Sequence, residues 1–434
     1  MLSRTHKARI IPIKQAVNAQ LTMPGSKSFT NRALVMAALT DGESRILNYP
    51  QSDDNNILIT ALRKIGVEIT KTTREIIVKG TGGKFKEFNG KINFGVAGTS
   101  IRFFTSIACL VPGTIILDGS ARMRQRPIGE LVNALRDLEA KITYLEKNGC
   151  PPIEISNTVI RGGKLSIQGT VSSQYVTSLL LIAPVMEKGI EIQVEDKQVS
   201  KSYIDMTIAS LESFGVNVEN QGYKKYIIKA GESYRASDYY VEGDISGASY
   251  FWAIAALTNG IVRVENINPR SSQGDVGFPD LLERMGCRVI KNAEEKWIEV
   301  AGVGKLWGIE VDMEQMPDTA QTLAVVASFA KGKTKITGLS TLRGKETNRL
   351  SALQTELAKM GIKSEVGDDY IIVKGGNPTG ALIETHKDHR MAMAFAIAGV
   401  KIPSIEILDP MVVNKSFPDF WKKLENTGVE VKMI

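Results

Sequence analysis

One short pattern occurs six times along the 434 residues, and this repetition restricts the fold more than any other feature. A leucine is followed by three mixed residues, usually a glycine, and a pair typical of a β-strand. The copies are LRKIGVEI, LRDLEAKI, LESFGVNV, LERMGCRV, LAKMGIKS and LENTGVEV, beginning at Leu62, Leu135, Leu211, Leu282, Leu357 and Leu424. Each predicts a helix end, a glycine cap and a strand start, although Glu139 replaces the glycine in the second copy. Near-constant spacings of 67 to 76 residues predict six structural repeats.

A polar turn leading into a strongly apolar helix precedes each copy. The six segments are GSKSFTNRALVMAAL, AGTSIRFFTSIACL, VSSQYVTSLLLIAPV, GDISGASYFWAIAAL, MPDTAQTLAVVASFA and KDHRMAMAFAIAGV. Because these helices are apolar on nearly all sides, we expect them to be buried. The later helix of each repeat, such as NNILITALRKIG, has one apolar stripe and should keep its polar face in water. Alternating segments such as REIIVKG and DYIIVKG predict strands.

The order of these elements predicts an α/β (α+β) fold of six βαβαββ repeats with buried helices. Three repeats in each of two similar domains are expected, at residues 25–242 and 243–434. The N-terminal segment, residues 1–24, is expected to complete the second domain. If the repeats share one fold, two facing domains would direct all six helix starts into the cleft between them, which is where we expect the active site.

Composition and charge exclude several classes of protein. Lys and Arg total 54 against 47 for Asp and Glu, an excess that suits either an anionic substrate or nucleic acid. An aromatic content of only 6% argues against a nucleic-acid clamp that stacks bases. The three cysteines lack C-x-x-C spacing, which favours a reducing compartment. With neither a signal-like start nor a membrane-length apolar run, we expect a cytoplasmic protein without membrane association.

Basic residues at the helix starts indicate anion binding. A helix N-terminus offers free N–H groups and partial positive charge, so it attracts anions. Arg32 and Arg102 lie in the first turns of apolar helices, where a cation opposes the helix dipole and needs a partner. A bound anion would supply that partner. The alternative for Ser, Thr and Asp at these positions is helix capping, and the arginines of SARMRQRPIG fit a solvated loop equally well.

Other kinds of site are less consistent with the sequence. His386, Asp388 and His389 could begin a metal site, but the chain has three histidines and shows no further nearby ligand, so no metal is expected. GSKS is not a Walker A loop, because that motif places glycine directly before the lysine. AGTS lacks the context of a dinucleotide fold, and no Ser-His-Asp set is visible.

Taken in order, several motifs resemble the 5-enolpyruvylshikimate-3-phosphate synthase family of enolpyruvyl transferases. They are PGSKSFTNRA, AGTSIRF, RMRQRPIG, SSQYVTSLL, VSKSYIDMT, MPDTA, GKETNRL, DHRMAMAF and NKSFPDF, and the resemblance runs from about Gln15 to the C-terminus. It implies an inside-out α/β barrel in each domain and transfer of the enolpyruvyl group of phosphoenolpyruvate to the 5-hydroxyl of shikimate 3-phosphate. It also implies a tetrahedral ketal intermediate, no cofactor, and a monomer acting on these two small substrates in the shikimate pathway.

The same resemblance implies a role for each motif residue. The shikimate 3-phosphate set comprises Lys27, Ser28, Arg32, Ser172, Ser173, Gln174, Ser200, Tyr203, Asp318, Thr341 and Lys345. The phosphoenolpyruvate set comprises Lys27, Gly98, Arg126, Gln174, Arg349, Arg390 and Lys415. Asp318 is expected to be the base for the 5-hydroxyl and Glu346 the acid at the methylene carbon, with Lys27 and His389 assisting. Gly98 leaves room for the family inhibitor glyphosate in the phosphoenolpyruvate site.

Three positions depart from the family pattern, namely Val96, Thr341 and Asn348, where the family often has Asn, Asn and Asp. Thr341 can still donate a hydrogen bond, whereas Val96 has no polar side chain. The related transferase that acts on UDP-N-acetylglucosamine is the nearest alternative. It usually has Gly-Ala-Lys-Asn where this chain has GSKS, and a reactive cysteine in the loop that here reads SARMRQRP.

Overall fold

The structure, a computed structural model, describes residues 6–156 and 160–434, so the first five residues of the predicted N-terminal segment lie outside it. In this part of the chain there are twelve α-helices. They are α1 (Lys27–Leu39), α2 (Asp53–Lys64), α3 (Gly98–Ala108), α4 (Gly129–Asp137), α5 (Ser173–Ile182), α6 (Lys201–Ser213), α7 (Ile245–Thr258), α8 (Phe278–Arg284), α9 (Ala320–Ala327), α10 (Arg349–Lys359), α11 (His389–Gly399) and α12 (Phe420–Glu425).

Strands alternate with these helices. The first twelve are β1 (Lys7–Ile11), β2 (Asn18–Thr22), β3 (Glu43–Leu47), β4 (Glu68–Lys71), β5 (Glu75–Lys79), β6 (Gly90–Asn93), β7 (Thr114–Asp118), β8 (Ile142–Tyr144), β9 (Ile153–Ser156), β10 (Gly163–Ile167), β11 (Ile190–Val194) and β12 (Glu219–Gln221). The others are β13 (Lys225–Ile228), β14 (Asp238–Tyr240), β15 (Ile261–Glu265), β16 (Arg288–Asn292), β17 (Trp297–Ala301), β18 (Glu310–Asp312), β19 (Lys333–Thr337), β20 (Ser364–Val366), β21 (Ile371–Lys374), β22 (Leu382–Ile383), β23 (Ile405–Leu408) and β24 (Glu430–Met433).

The strands form six four-stranded sheets with one shared topology. The second repeat shows it in chain order, with β6 parallel to β7 across α3, and β9 antiparallel to both β7 and β8. A parallel pair needs a crossover connection, which α3 supplies, whereas the antiparallel pair is joined by a short loop. The third and fifth repeats have the same βαβαββ order. The predicted fold class is therefore confirmed.

The other three repeats complete their sheets with strands from distant parts of the chain. β14 pairs in parallel with β3, and β2 pairs in parallel with β15. In the sixth repeat β1 lies between β23 and β24, antiparallel to both. Ile10 of β1 is buried there, and the backbone of Gly399 in α11 approaches it closely enough that a Cβ on Gly399 would overlap it.

The chain forms two compact units, one of Gly25–Val241 and the other of the chain up to Pro24 together with Glu242–Ile434. Each has its own hydrophobic core. In the first unit α1, α3 and α5 pack against one another, and in the second α7, α9 and α11 do so. The prediction that these helices are buried is confirmed; in α7, for example, every residue from Ile245 to Leu257 is buried.

The helix ends have the cap geometry that the repeated pattern predicts. The five glycines of the pattern, Gly66, Gly215, Gly286, Gly361 and Gly428, all have positive φ. Glu139 adopts the same left-handed conformation, with a φ of 71°, although it has a Cβ. Its N–H donates to Arg136 O and that of Ala140 to Leu135 O, as in the glycine-capped copies. The repeat thus determines this backbone shape even where the residue disfavours it.

Two further findings concern the expected environment of the chain. None of the helices in the described ranges is long and apolar enough to cross a membrane. The three cysteines, all within those ranges, are free and buried.

Candidate active site

In the unit Gly25–Val241, the start of α1 carries a buried ion pair. Lys27 Nζ lies 3.0 Å from Asp54 Oδ2, and the Asp54 side chain is 1% exposed. Asp54 is the second residue of α2, and its backbone carbonyl accepts a hydrogen bond from Ser100 Oγ of α3 at 3.0 Å. Asp54 therefore connects the starts of three helices, through its carboxylate to Lys27 of α1 and through its backbone carbonyl to Ser100 of α3. The sequence prediction missed Asp54; the only signal was an Asp-Asp pair following the Ser52 cap.

Arg32 is buried among uncharged acceptors. Its guanidinium donates to Thr207 Oγ1 at 2.9 Å, to Ser28 O at 2.9 Å and to Tyr203 O at 2.8 Å. Burial lowers the pKa of Arg32 to about 10, while Tyr203 and Tyr239 raise it slightly. Three of its five N–H donors are used in this way. An anion near this side chain would restore the charge balance that burial disturbs.

The start of α3 brings a glycine against an arginine. Gly98 is the first residue of α3, and a Cβ placed on it would overlap the guanidinium of Arg126. Arg126 Nη1 donates to Val96 O at 3.3 Å. The departure at Val96 therefore leaves a backbone contact in place, because the carbonyl and not the side chain holds Arg126.

A polar chain links the starts of α3 and α5. Arg102 Nη1 donates to Gln174 Oε1 at 2.7 Å, and Gln174 Nε2 donates to Thr99 Oγ1 at 3.2 Å. The hydroxyl of Ser172 caps α5 by accepting from Gln174 N at 3.3 Å, and Ser173, the first residue of the helix, is buried. Capping therefore explains Ser172 in this structure, as the alternative interpretation allowed.

The start of α6 has an unusual backbone. Ser200 holds its N-cap position with φ 52° and ψ 49°, the left-handed region that non-glycine residues rarely adopt. The preceding residue, Val199, donates its N–H to Gly169 O at 3.1 Å, which ties this turn to the loop before Ser172. Tyr203 N–H donates to Ser200 O, and Tyr203 O accepts from Arg32. The predicted residues of this unit thus form connected contacts around its helix starts.

In the unit containing Glu242–Ile434, Arg349 is the centre of an ion-pair network. Its Nε lies 2.8 Å from Asp388 Oδ2, Nη1 lies 3.0 Å from Asp318 Oδ1, and Nη2 lies 3.0 Å from Glu346 Oε2. The Arg349 side chain is 2% exposed. Burial alone would lower its pKa, but the three carboxylates, Asp388 most strongly, raise it above its ordinary value. The sequence motifs pointed to Arg349, whereas the central position of Asp388 required the structure.

Three further cations contact the same carboxylates. Arg390 Nη2 lies 2.8 Å from Asp318 Oδ2, Lys345 Nζ lies 3.6 Å from Asp318 Oδ1, and Lys415 Nζ lies 3.0 Å from Glu346 Oε1. Together with Arg349 these ion pairs join four cations to three carboxylates. The two cations beside Asp318 other than Arg349 favour the ionised form of its carboxylate, which is the form able to accept a proton. An incoming anion could bind by sharing the cations with these carboxylates.

Four further residues of this unit were singled out from the sequence. His389, the first residue of α11, is 1% exposed, and its Nδ1 lies 3.5 Å from Asp388 Oδ1. Thr341 lies in the 3-10 turn Ser340–Gly344, and its buried Oγ1 makes no hydrogen bond to any residue in the described ranges. Asn348 caps α10 by accepting from Ser351 N. His386 is separate from His389, because its Nε2 contacts Glu356 Oε1 at 2.8 Å.

Asp275 is a buried carboxylate of this unit that the sequence prediction missed. It accepts a hydrogen bond from the Ser246 hydroxyl at the start of α7. Burial raises its pKa to about 7; Arg390 and Ser246 act in the opposite direction, and Asp318 and Asp244 add to the rise. Its charge therefore interacts with the ion-pair network described above. A lone Asp in the sequence QGD gives no signal of this environment.

Known proteins match this chain in both sequence and fold. The family model described as EPSP synthase (3-phosphoshikimate 1-carboxyvinyltransferase) matches residues 11–424. The 3-phosphoshikimate 1-carboxyvinyltransferase of Vibrio atlanticus is 42% identical over 95% of this chain and 97% of its own length. That of Mannheimia haemolytica is also 42% identical, over 98% and 99%. A solved EPSP synthase of Acinetobacter baumannii superposes with a TM-score of 0.83 at 26% identity, covering 99% of this chain and 100% of that one.

Units of three βαβαββ repeats around buried helices, with basic and acidic side chains at the helix starts, define an enolpyruvyl transferase. Within that class the match is specific, since it covers nearly the full length of both this chain and its relatives. The chain belongs to the EPSP synthase family.

Proposed function

We propose that this chain transfers the enolpyruvyl (1-carboxyvinyl) group of phosphoenolpyruvate to the 5-hydroxyl of shikimate 3-phosphate and releases phosphate. Family membership supports the reaction. For the residues of this chain, the reaction is supported by the network centred on Arg349. That network brings a base candidate, Asp318, and an acid candidate, Glu346, to one buried cation.

The first requirement is to hold two substrates that carry two phosphates and two carboxylates between them. We assign phosphoenolpyruvate to Lys27, Gly98, Arg126, Gln174, Arg349, Arg390 and Lys415. We assign shikimate 3-phosphate to Lys27, Ser28, Arg32, Ser172, Ser173, Gln174, Ser200, Tyr203, Asp318, Thr341 and Lys345. Charge-assisted hydrogen bonds from such a dense set of donors can offset the repulsion between two anions. The free hydroxyl of Thr341 supports its place in the second group.

The second requirement is proton transfer at both ends of the new bond. Asp318 takes the proton of the 5-hydroxyl as its oxygen attacks C2 of phosphoenolpyruvate, while Glu346 gives a proton to C3. The tetrahedral ketal then collapses: Glu346 recovers a proton from the methyl group, the C2–O bond to phosphate breaks, and the departing phosphate takes up the proton held by Asp318. Two carboxylates on one arginine support this division of labour, since each has different further cations. His389 and Lys27 assist by placing charge.

The assay is phosphate release from purified protein mixed with phosphoenolpyruvate and shikimate 3-phosphate. Release that requires both substrates is expected. Release with UDP-N-acetylglucosamine as acceptor, and none with shikimate 3-phosphate, would refute the proposal in favour of the related transferase. Absence of turnover together with salt-sensitive binding of DNA or RNA would favour the nucleic-acid clamp.

We further propose that the protein acts as a cytoplasmic monomer built from domains 25–242 and 243–434, the second completed by residues 1–24. The three buried free thiols support a reducing compartment. Size-exclusion chromatography with light scattering tests the oligomeric state, and a mass near twice 47.4 kDa would contradict it.

A further inference from the structure

A buried carboxylate outside the assigned site holds the loop that leads into it. Glu356 lies two turns after Arg349 on the same helix, α10, and is 0% exposed. Its oxygens accept from Glu384 N at 3.0 Å and contact His386 Nε2 at 2.8 Å. Lys359 Nζ bonds both oxygens, at 2.9 and 2.8 Å. A buried carboxylate needs such partners to remain charged.

The segment that Glu356 contacts has a strained backbone. His386 and Lys387 are consecutive and have φ values of 50° and 57°, a region that is unfavourable for residues with a Cβ. Such a conformation persists only where surrounding contacts hold it in place. Glu356 supplies two of these contacts, one to the backbone of Glu384 and one to the ring of His386. A third comes from Asp388 N, which donates to Thr385 O at 2.8 Å.

The strained pair directly precedes Asp388, and Asp388 orients two arginines. Its carboxylate accepts from Arg349 Nε at 2.8 Å and from the backbone N–H of Arg390 at 2.9 Å. Helix α10 therefore contacts the segment 384–388 at two points: Arg349 bonds Asp388, and Glu356 contacts Glu384 and His386. If the Glu356 contacts were lost, the two left-handed residues could relax, and Asp388 would move relative to both arginines.

Metal binding is the other use that this cluster suggests. Ligand atoms of Glu356, Glu384 and His386 lie within 4.8 Å of one another. However, the Lys359 ammonium already bonds both oxygens of Glu356, so a cation occupies the position that a metal would need. A cluster whose negative charge is neutralised by an ammonium is a poor metal site.

We infer that Glu356 is a positioning residue, which acts through the loop 384–388 to set Arg349 and Arg390 for phosphoenolpyruvate. The inference rests on the proposed function, because that assigns both arginines to phosphoenolpyruvate. Glu356 itself belongs to neither of the two sets of residues assigned to the substrates. Because both arginines are assigned to phosphoenolpyruvate, its effect should appear chiefly in the affinity for that substrate.

Glu356→Gln tests the inference, because glutamine keeps the size but cannot accept from all three donors. We expect the KM for phosphoenolpyruvate to rise about tenfold, the equivalent of one ordinary hydrogen bond, with kcat and the KM for shikimate 3-phosphate changed less than about twofold. Lys359→Arg is the matched control, since it alters a partner of the same carboxylate while keeping a cation there and leaving the loop untouched, and it should leave all three constants within about twofold. A purely structural role would lower the active fraction, and so kcat, without changing either KM.

A second pair of variants applies even if Glu356→Gln fails to fold. His386→Gln can place its Nε2 near the position of the imidazole Nε2, whereas His386→Asn is too short to reach Glu356. We expect Asn, and not Gln, to raise the KM for phosphoenolpyruvate. Equal KM values for the two variants, or a parallel rise in both substrates' KM values for Glu356→Gln, would overturn the inference while wild-type turnover stands. Absence of wild-type turnover would instead refute the proposed function and this inference with it.

Discussion

Replacement of Asp275 by Asn should stabilise the unit that contains Glu242–Ile434. The increase in the free energy of unfolding should grow as the pH rises. Asp275 is buried beside Ser246, and its pKa is raised from 3.8 to about 7, chiefly by burial. In the unfolded chain the same carboxyl ionises near its ordinary pKa. Folding therefore requires this group either to keep a proton or to bury a charge. Asparagine has the shape of the protonated form, can still accept from Ser246, and requires neither.

The magnitude follows from the two pKa values. Because the folded pKa is the higher one, the folded state holds more protons than the unfolded state between about pH 4 and pH 7. The contribution of Asp275 to stability is complete below pH 4, falls by about 1.4 kcal/mol per pH unit, and is lost above about pH 7. A difference of about 3 between the pKa values corresponds to about 4 kcal/mol. Asp275→Asn should match the wild type near pH 4 and exceed it by up to that amount at pH 8.

Urea unfolding monitored by tryptophan fluorescence measures the stability of the structural unit that contains Asp275. All four tryptophans, Trp252, Trp297, Trp307 and Trp421, lie in the unit that contains Asp275. Asp280→Asn, which removes a half-exposed carboxylate from α8, controls for the change in net charge. A stability difference between Asp275→Asn and wild type that stays constant, or shrinks, from pH 4 to pH 8 would refute the reasoning.

Four other substitutions test the site and the repeat. Asp318→Asn and Glu346→Gln should retain substrate binding but lower kcat by about 10²–10⁴-fold, the usual contribution of a general acid or base, and a near-normal kcat in stopped-flow turnover would remove the assigned role. Gly98→Ala should displace the Arg126 guanidinium, because the new methyl group overlaps it. Initial-rate kinetics should then show a higher KM for phosphoenolpyruvate and weaker inhibition by glyphosate. Unchanged values for both would contradict the overlap. Glu139→Gly should stabilise the unit Gly25–Val241 by about 1 kcal/mol, because it relieves the backbone strain of a left-handed residue that has a Cβ. Chemical denaturation followed by tyrosine fluorescence measures this, and no increase in stability would mean that the backbone is unstrained.

The repeat was predictable because it depends on local signals. A glycine at five of the six repeated helix ends and an apolar run after each polar turn identify the elements without any long-range information. Glu139 shows the limit of a residue-by-residue view: the glycine is missing, yet the left-handed backbone is retained because the neighbouring elements of the repeat require it. The exchange of strands between distant repeats is different. Nothing in the sequence of β14 alone shows that it joins β3.

Some charged groups of the site could be predicted from the sequence, and others could not. Arg349 and Lys27 stand in motifs that the sequence displays, so both could be predicted. Their partners Asp388 and Asp54 are brought to them by tertiary folding, over 39 and 27 residues. Asp275 and Glu356 have no sequence signal at all, because their importance comes from burial, and burial of a single polar residue cannot be read from a pattern that is otherwise apolar.

The placement of β1 between β23 and β24 has a consequence for synthesis of the chain on the ribosome. About 400 residues separate β1 from these partners, and at ordinary elongation rates they take about 20–80 s to make. During that time Ala8 and Ile10, which the finished sheet buries, have no sheet to join. The unit Gly25–Val241 contains every strand of its own three sheets and can complete its core in the interval. β1 can therefore be placed only after β23 and β24 have been made, and a nascent-chain chaperone would find it exposed until then.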